Sequence, residues 1–214
     1  KEVAEKYKGH EVSCHTISHP HLETRPIQLA TWDIVEDKKM LEKMCGYIVR
    51  GMSYPFGKYN DDVISSMRAA GMEYSRTGRC TNGFPLPANW LAWDPTCHHK
   101  ADLKGLWKTM EARLQWLDMP VMYIYGHSFE FNNDKNWGMI DEFCDWVSGN
   151  DDVWYATNVE IMDYVNATKQ LKFSWDRKII LNPTATDVWI EVDNEVVKIP
   201  AGESVYLDKT LSIV

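Results

Sequence analysis

Residues 103–127, LKGLWKTMEARLQWLDMPVMYIYGH, decide the fold. Leu103, Leu106, Trp107, Met110, Leu114 and Leu117 recur at steps of three and four, which stacks them on one helical face and predicts a helix over about 100–117. Pro120 cannot continue it. Val121-Met122-Tyr123-Ile124-Tyr125 is then an apolar run of strand length, stopped by Gly126-His127. A helix that feeds a strand apolar on both faces is the repeating unit of an α/β sheet with mostly parallel strands.

The same alternation continues outward. Ile34, Val35, Leu41, Met44 and Cys45 predict a helix that starts at Asp33 as N-cap and ends at Gly46. Tyr47-Ile48-Val49 opens a strand running toward Ser53, and Asn60-Asp61 caps a second helix that ends at Gly71. Residues 77–99 read as a long loop. Beyond Tyr125, a helix is predicted over about 136–148, a strand at Val153–Ala156, and a last helix opened by the capping box Thr157-Asn158-Val159-Glu160. After residue 170 the texture changes to short β-branched runs, Leu171–Trp175, Lys178–Leu181, Val188–Val192, Val196–Ile199 and Val205–Leu207, with turns at Asp193-Asn194 and Ala201-Gly202. The organisation expected is an α/β segment over 1–168 followed by a small antiparallel β extension over 169–214.

With 214 residues, 44% of them hydrophobic and 25% charged, the chain can bury one core. Its net charge of −8 repels a phosphate backbone, so nucleic acid is a poor partner. No run approaches the ~20 apolar residues of a membrane span. Five scattered cysteines read as buried thiols rather than a disulfide framework or a zinc ribbon. Ten Trp and ten Tyr suit either a core or flat walls for sugar rings. For Trp107, Trp116, Trp137, Trp146 and Trp154 the expectation is packing.

The chemistry concentrates at strand ends. His15-Thr16-Ile17-Ser18-His19-Pro20-His21 offers two imidazoles, His15 and His19, that could share one metal, although a site needs at least one further ligand. Phe56-Gly57 and Gly126-His127-Ser128 sit at equivalent ends, where parallel α/β sheets keep their reacting groups. His98-His99 beside Cys97 would make a second metal site only if adjacent side chains turned the same way, which neighbours seldom do. Glu130, three residues after His127, could touch the site or form a surface ion pair, and the ion pair is the expectation.

In order and spacing, His15-Thr16-Ile17-Ser18-His19-Pro20, Tyr54-Pro55-Phe56-Gly57 and Tyr123-Ile124-Tyr125-Gly126-His127 resemble the polysaccharide deacetylases, carbohydrate esterase family four. The resemblance spans roughly residues 9 to 165. It implies a distorted (β/α) barrel and hydrolysis of N- or O-acetyl groups on a sugar polymer, with His15 and His19 holding a divalent metal, zinc being the first candidate. It further implies that the Phe56 backbone N–H serves as oxyanion donor and His127 as general acid. Tyr54, Trp93 and Asp94 would face substrate. The partner implied is an acetylated carbohydrate, and the family's setting leans to the cell envelope or outside the cell.

The chain also departs from the pattern. The family's Thr/Ser-Phe-Asp-Asp-Gly motif, source of the third metal ligand and the base, lies upstream of the histidine motif and is not found here. Asp61-Asp62 caps a helix and Asp151-Asp152 precedes a strand, so neither replaces it. Ser53 stands where many members carry Arg, and Arg50 is out of register. The expectation is therefore a domain truncated at its N-terminus by a strand, a helix and the base. Two other readings stay open: a non-catalytic carbohydrate-binding relative, and a metallohydrolase of non-sugar amides or esters.

Overall fold

The computed structural model describes residues 2–193 and 195–208. Its contacts divide the chain into two units, one running through Tyr155 and one starting at Ala156.

In the first unit, helices α1 (Glu2–Lys6), α2 (Ile27–Cys45), α3 (Asp61–Ala69), α4 (Leu103–Glu111), α5 (Ser128–Asp134) and α6 (Trp137–Val147) surround strands β1 (Gly51–Ser53), β2 (Tyr74–Arg76), β3 (Cys97–His98) and β4 (Ile124–Tyr125). Cys14 bridges Met52, β1 pairs with β2, Arg76 bridges Trp93, and β3 pairs with β4, every pairing parallel. The run 93–99 lies between its neighbours: the Trp93 N–H donates to the Ser75 carbonyl on one side, and the His99 N–H to the Tyr125 carbonyl on the other. Each strand thus neighbours the next one along the chain. Parallel neighbours bring all their C-terminal ends to the same rim. The α/β reading holds, but the strands are only two or three residues long and the arc they form is open among the described residues.

Two apolar clusters back the arc. Ile34 of α2 and Val63 and Met67 of α3 pack with Cys14, Val49, Met52 and Tyr54, while Trp107 and Met110 of α4 pack with Cys97, Phe84 and Phe143.

The helix ends follow local chemistry. The Asn60 side chain accepts the Val63 N–H at 2.9 Å, Asp102 accepts that of Gly105 at 2.9 Å, and Gly46 closes α2 in the left-handed conformation at φ 79°. The start of α2 corrects the sequence reading. Pro26 precedes its first turn, so the helix begins six residues before Asp33, which lies inside it, fully buried. The helix expected over 100–117 ends at Glu111 and resumes as a 3-10 turn over Leu114–Trp116. No strand forms at Val153–Ala156. Of the five tryptophans expected to pack, only Trp107 is buried; Trp116, Trp137, Trp146 and Trp154 are exposed.

All five cysteines are free, with Cys14 and Cys97 buried and Cys80 and Cys144 exposed. Burial pushes the Cys97 thiol up to about 11 and raises that of Cys14 further. A thiol reagent at neutral pH is expected to label Cys80 and Cys144 in the native protein and to reach Cys14 and Cys97 only after unfolding, as peptide mapping would show.

The second unit holds α7 (Asn158–Thr168) and strands β5 (Lys172–Phe173), β6 (Ile179–Leu181), β7 (Val188–Val192), β8 (Glu195–Ile199) and β9 (Ser204–Tyr206). The capping box forms as expected: Thr157 Oγ1 accepts the Glu160 N–H, and the Glu160 carboxylate accepts the Thr157 N–H. The strands make an antiparallel sheet in the order β5-β6-β9 and a hairpin β7-β8. Ile180, Val192, Ile199 and Leu207 form its core. The helix α7 packs within this unit through Tyr164, whose ring stacks on Trp189 at 6.5 Å. The Ala201-Gly202 turn is present, with Gly202 at φ 74°; of the Asp193-Asn194 turn, Asp193 has φ 52° and Asn194 lies outside the described residues.

Candidate active site

The rim is built from the residues that follow each strand position. His15 follows Cys14, and its ring Nδ1 lies 2.7 Å from the Ser53 carbonyl at the end of β1. An Nδ1–H donated to that carbonyl fixes the tautomer and leaves Nε2 able to ligate. Burial lowers the pKa of His15; the Ser53 carbonyl opposes this, and positive charge on His19, Arg76 and His127 lowers it further. The ring is therefore neutral at physiological pH.

The loop from His15 to His19 folds back tightly, with Thr16 at φ 68° and His19 at φ 49°. Such left-handed residues persist only where their surroundings hold them. Here the holder is Asp33: its Oδ1 accepts the N–H groups of Ile17 at 3.1 Å and Ser18 at 2.9 Å, and its Oδ2 accepts the Ser18 hydroxyl at 2.7 Å and the Arg25 guanidinium at 3.1 Å. Asp37 on the next turn of α2 accepts the His15 N–H at 2.7 Å. The rings of His15 and His19 then meet edge to face at 4.8 Å.

Phe56 joins them. Its ring lies 4.7 Å from His19 and stacks on His21 at 4.0 Å, and its backbone is left-handed at φ 56°. Gly57 follows because a Cβ there would stand 2.3 Å from the Gly78 backbone nitrogen. With 53% of its surface exposed, the Phe56 ring forms part of an accessible wall. Tyr54 lies beneath that wall, 1% exposed, its hydroxyl donating to the Leu91 carbonyl at 2.8 Å. Trp93 is equally buried, edge-on to Tyr74, Trp90 and Tyr123. The Asp94 carboxylate is taken up by the Thr77 hydroxyl and by the Arg79 guanidinium, whose Nε is 2.7 Å away.

His127 stands on the same rim past β4, with its side chain about half exposed (52%). Its Nδ1 lies 3.1 Å from Glu130 Oε2, and the same oxygen accepts the His127 backbone N–H at 3.1 Å. Glu130 is therefore more than the surface ion pair expected from sequence. Its Oε2 also lies 3.0 Å from His98 Nε2, and Lys100 Nζ is 3.3 Å from its Oε1. Burial opposes ionisation of Glu130, yet the His127 N–H and ring, Lys100 and His98 hold its carboxyl down at about 2. Of the two places the sequence left open for Glu130, the structure takes the one beside His127: a residue three past a strand-end histidine at the start of a helix is placed to reach back to it. Arg76 completes the rim, its guanidinium 4.6 Å above the Tyr125 ring.

The structure thus brings His15, His19, Phe56 and His127 to one rim, with Tyr54 and Trp93 packed below it and Asp94 tied to Arg79. The donor chemistry of His15 and His19 fits a divalent metal such as zinc. No third potential ligand joins these two among the described residues.

Comparison with known proteins gives the chain a family context. Residues 2–75 match the family model for polysaccharide deacetylase. None of the curated proteins compared matches the chain. Among solved structures, the chain is similar to the Streptococcus pyogenes deacetylase PplD in complex with acetate, at 23% identity over 38% of this chain and 36% of that one, with a TM-score of 0.34. It is also similar to a polysaccharide deacetylase from Bacillus cereus, at 24% identity over 39% of this chain and 26% of that one, with a TM-score of 0.34. A CE4 family pseudoenzyme from Bacillus anthracis aligns over 72% of this chain and 46% of that one, at 14% identity and a TM-score of 0.43. The chain spans less than half the length of each of these proteins.

Proposed function

We propose that the chain, whose residues 2–75 match the family model for polysaccharide deacetylase, carries part of the site of a metal-dependent hydrolase that removes acetyl groups from an acetylated poly- or oligosaccharide. The observation that carries this reading is the placement of His15, His19 and His127, from motifs more than a hundred residues apart, just past parallel-paired strand positions on one rim of the arc. In this reading the open arc is a portion of a distorted (β/α) barrel.

His15 and His19 would hold the metal, with Ser53 orienting His15 and Asp33 shaping the loop between them. A divalent cation there supplies Lewis acidity toward the acetyl carbonyl and an acidified water. The Phe56 backbone N–H, presented by a left-handed residue, is the donor for the oxyanion, a contact worth about 3 kcal/mol in the transition state. Glu130 accepts Nδ1–H of His127, which leaves Nε2 as the nitrogen that hands a proton to the departing amine or alcohol. The stacked pair of His21 and Phe56 gives a sugar ring a flat, accessible wall; Tyr54 and Trp93 support the rim from beneath. Deprotonating the water and completing the metal site both call for a carboxylate beside His15 and His19, and none joins those two among the described residues.

That last point favours a second reading, in which the rim binds acetylated sugar without cleaving it. The two separate cleanly. The full-length chain, loaded with zinc and given N-acetylated chito-oligomers or acetylated xylan, is expected to release acetate, and chelation of the metal should abolish release. Retention of the oligomers with no acetate released would establish the binding reading; neither binding nor release would remove both.

A further inference from the structure

We propose a second metal site, distinct from the His15–His19 pair, in which His98, His99 and Glu130 bind a divalent transition metal such as zinc. One nitrogen of each imidazole and one carboxylate oxygen of Glu130 all lie within 4.8 Å of one another. In a tetrahedral zinc site with bonds of about 2 Å, donor atoms stand roughly 3.3 Å apart. His98 Nε2 and Glu130 Oε2, at 3.0 Å, are already near that spacing, and His99 Nδ1 and Glu130 Oε2, at 3.9 Å, need to close by a few tenths of an ångström.

His99 supplies the independent observation. Its ring is 97% buried by its 3% exposure, and neither nitrogen has a hydrogen-bond partner. A buried imidazole with two unsatisfied nitrogens forfeits solvation with no return, so such a group calls for a ligand. The chain also makes room for it: a Cβ on Gly126 would stand 1.8 Å from His99 Nδ1, so only glycine lets the ring lie against the end of β4.

The surrounding charge favours a cation. Lys100 Nζ lies 3.3 Å from Glu130 Oε1 but 2.7 Å from Asp134 Oδ2, so one ammonium faces two carboxylates, leaving one net negative charge beside the imidazoles. His98 Nε2 and Glu130 Oε2 share a hydrogen bond, while His98 Nδ1 accepts the Lys100 backbone N–H at a long 3.3 Å. A metal takes the place of the proton between Nε2 and Oε2. The imidazole proton then moves to Nδ1, at the cost of that long bond. With the metal on Oε2, the lone pair left on that oxygen can go on accepting from one of the two His127 N–H groups. The site rests on His98, His99 and Glu130 alone, so it stands or falls separately from the deacetylase reading.

The test uses the full chain with His15→Gln and His19→Gln combined, which removes the first pair of imidazoles. After equilibration with zinc and removal of loosely held metal, this variant is expected to retain one zinc per chain, and Co(II) in its place should show visible absorption from nitrogen ligation. Adding His98→Gln or Glu130→Gln should weaken zinc binding about ten-fold or more, the loss expected when a ligand is replaced by a poor donor. His98 is partly exposed and Glu130 lies on the rim, so these variants remain informative even if His99→Gln fails to fold. A His15/His19 variant that retains no zinc, or one whose zinc is indifferent to His98→Gln and Glu130→Gln, would show the trio to be a hydrogen-bonded network only.

Discussion

Replacing Asp33 by alanine is expected to cost the fold about 1–3 kcal/mol, the range for removing a buried hydrogen-bonding group whose partners are left unmatched. The carboxylate is fully buried and accepts from the Ile17 and Ser18 N–H groups, the Ser18 hydroxyl and Arg25. Alanine leaves those donors without acceptors at the turn where Thr16 and His19 are held at positive φ. The loss is therefore local as well as global: the loop has little else to hold His15 and His19 ring to ring. In urea the unfolding midpoint should fall with its slope unchanged, and zinc affinity at the His15–His19 pair should fall with it. A midpoint shift equivalent to less than about 0.5 kcal/mol, the size of an ordinary surface substitution, would show that the loop does not depend on Asp33.

Asp33 also marks where the sequence misleads. As an acidic residue ahead of an apolar helical stripe, it has the pattern of an N-cap, yet the helix begins six residues earlier because its carboxylate is spent on the histidine loop. Local propensity could not see a partner fifteen residues upstream. Caps with local partners were legible: Asn60 accepts from Val63, and Thr157 and Glu160 close their box. The strand Val188–Val192 appears with the bounds its alternation predicts. Helix α5 was not legible, because Ser128–Asp134 places one buried residue, Phe131, among polar neighbours and carries no apolar stripe. Val153–Ala156 has strand composition, but its aromatic members Trp154 and Tyr155 remain exposed, so no sheet recruits it.

At the rim the order of the motifs was readable, since histidines placed just past apolar runs end up at strand ends. What the motifs could not reveal was how neighbouring side chains turn there. His98 is the last residue of β3 and His99 leaves the strand, so the alternation that sends adjacent residues to opposite faces lapses, and both rings reach toward Glu130. Glu130 itself, read as a surface charge, accepts from His127 and His98 through one oxygen.

The larger expected effect on activity belongs to His127. It is half exposed and fills no core position, so His127→Ala should fold and melt like the parent chain. If His127 protonates the leaving group, its loss should lower kcat/KM for acetate release by about 10²–10⁴-fold, the usual contribution of a positioned general acid. Glu130→Gln, which keeps an acceptor but discards the charge that favours the protonated ring, should fall between the parent and His127→Ala. The direct comparison is kcat/KM for acetate release from an N-acetylated chito-oligomer by the zinc-loaded full-length chain and by its His127→Ala variant. A drop of at least a hundred-fold with unchanged thermal stability is the predicted result, and equal rates would contradict the account.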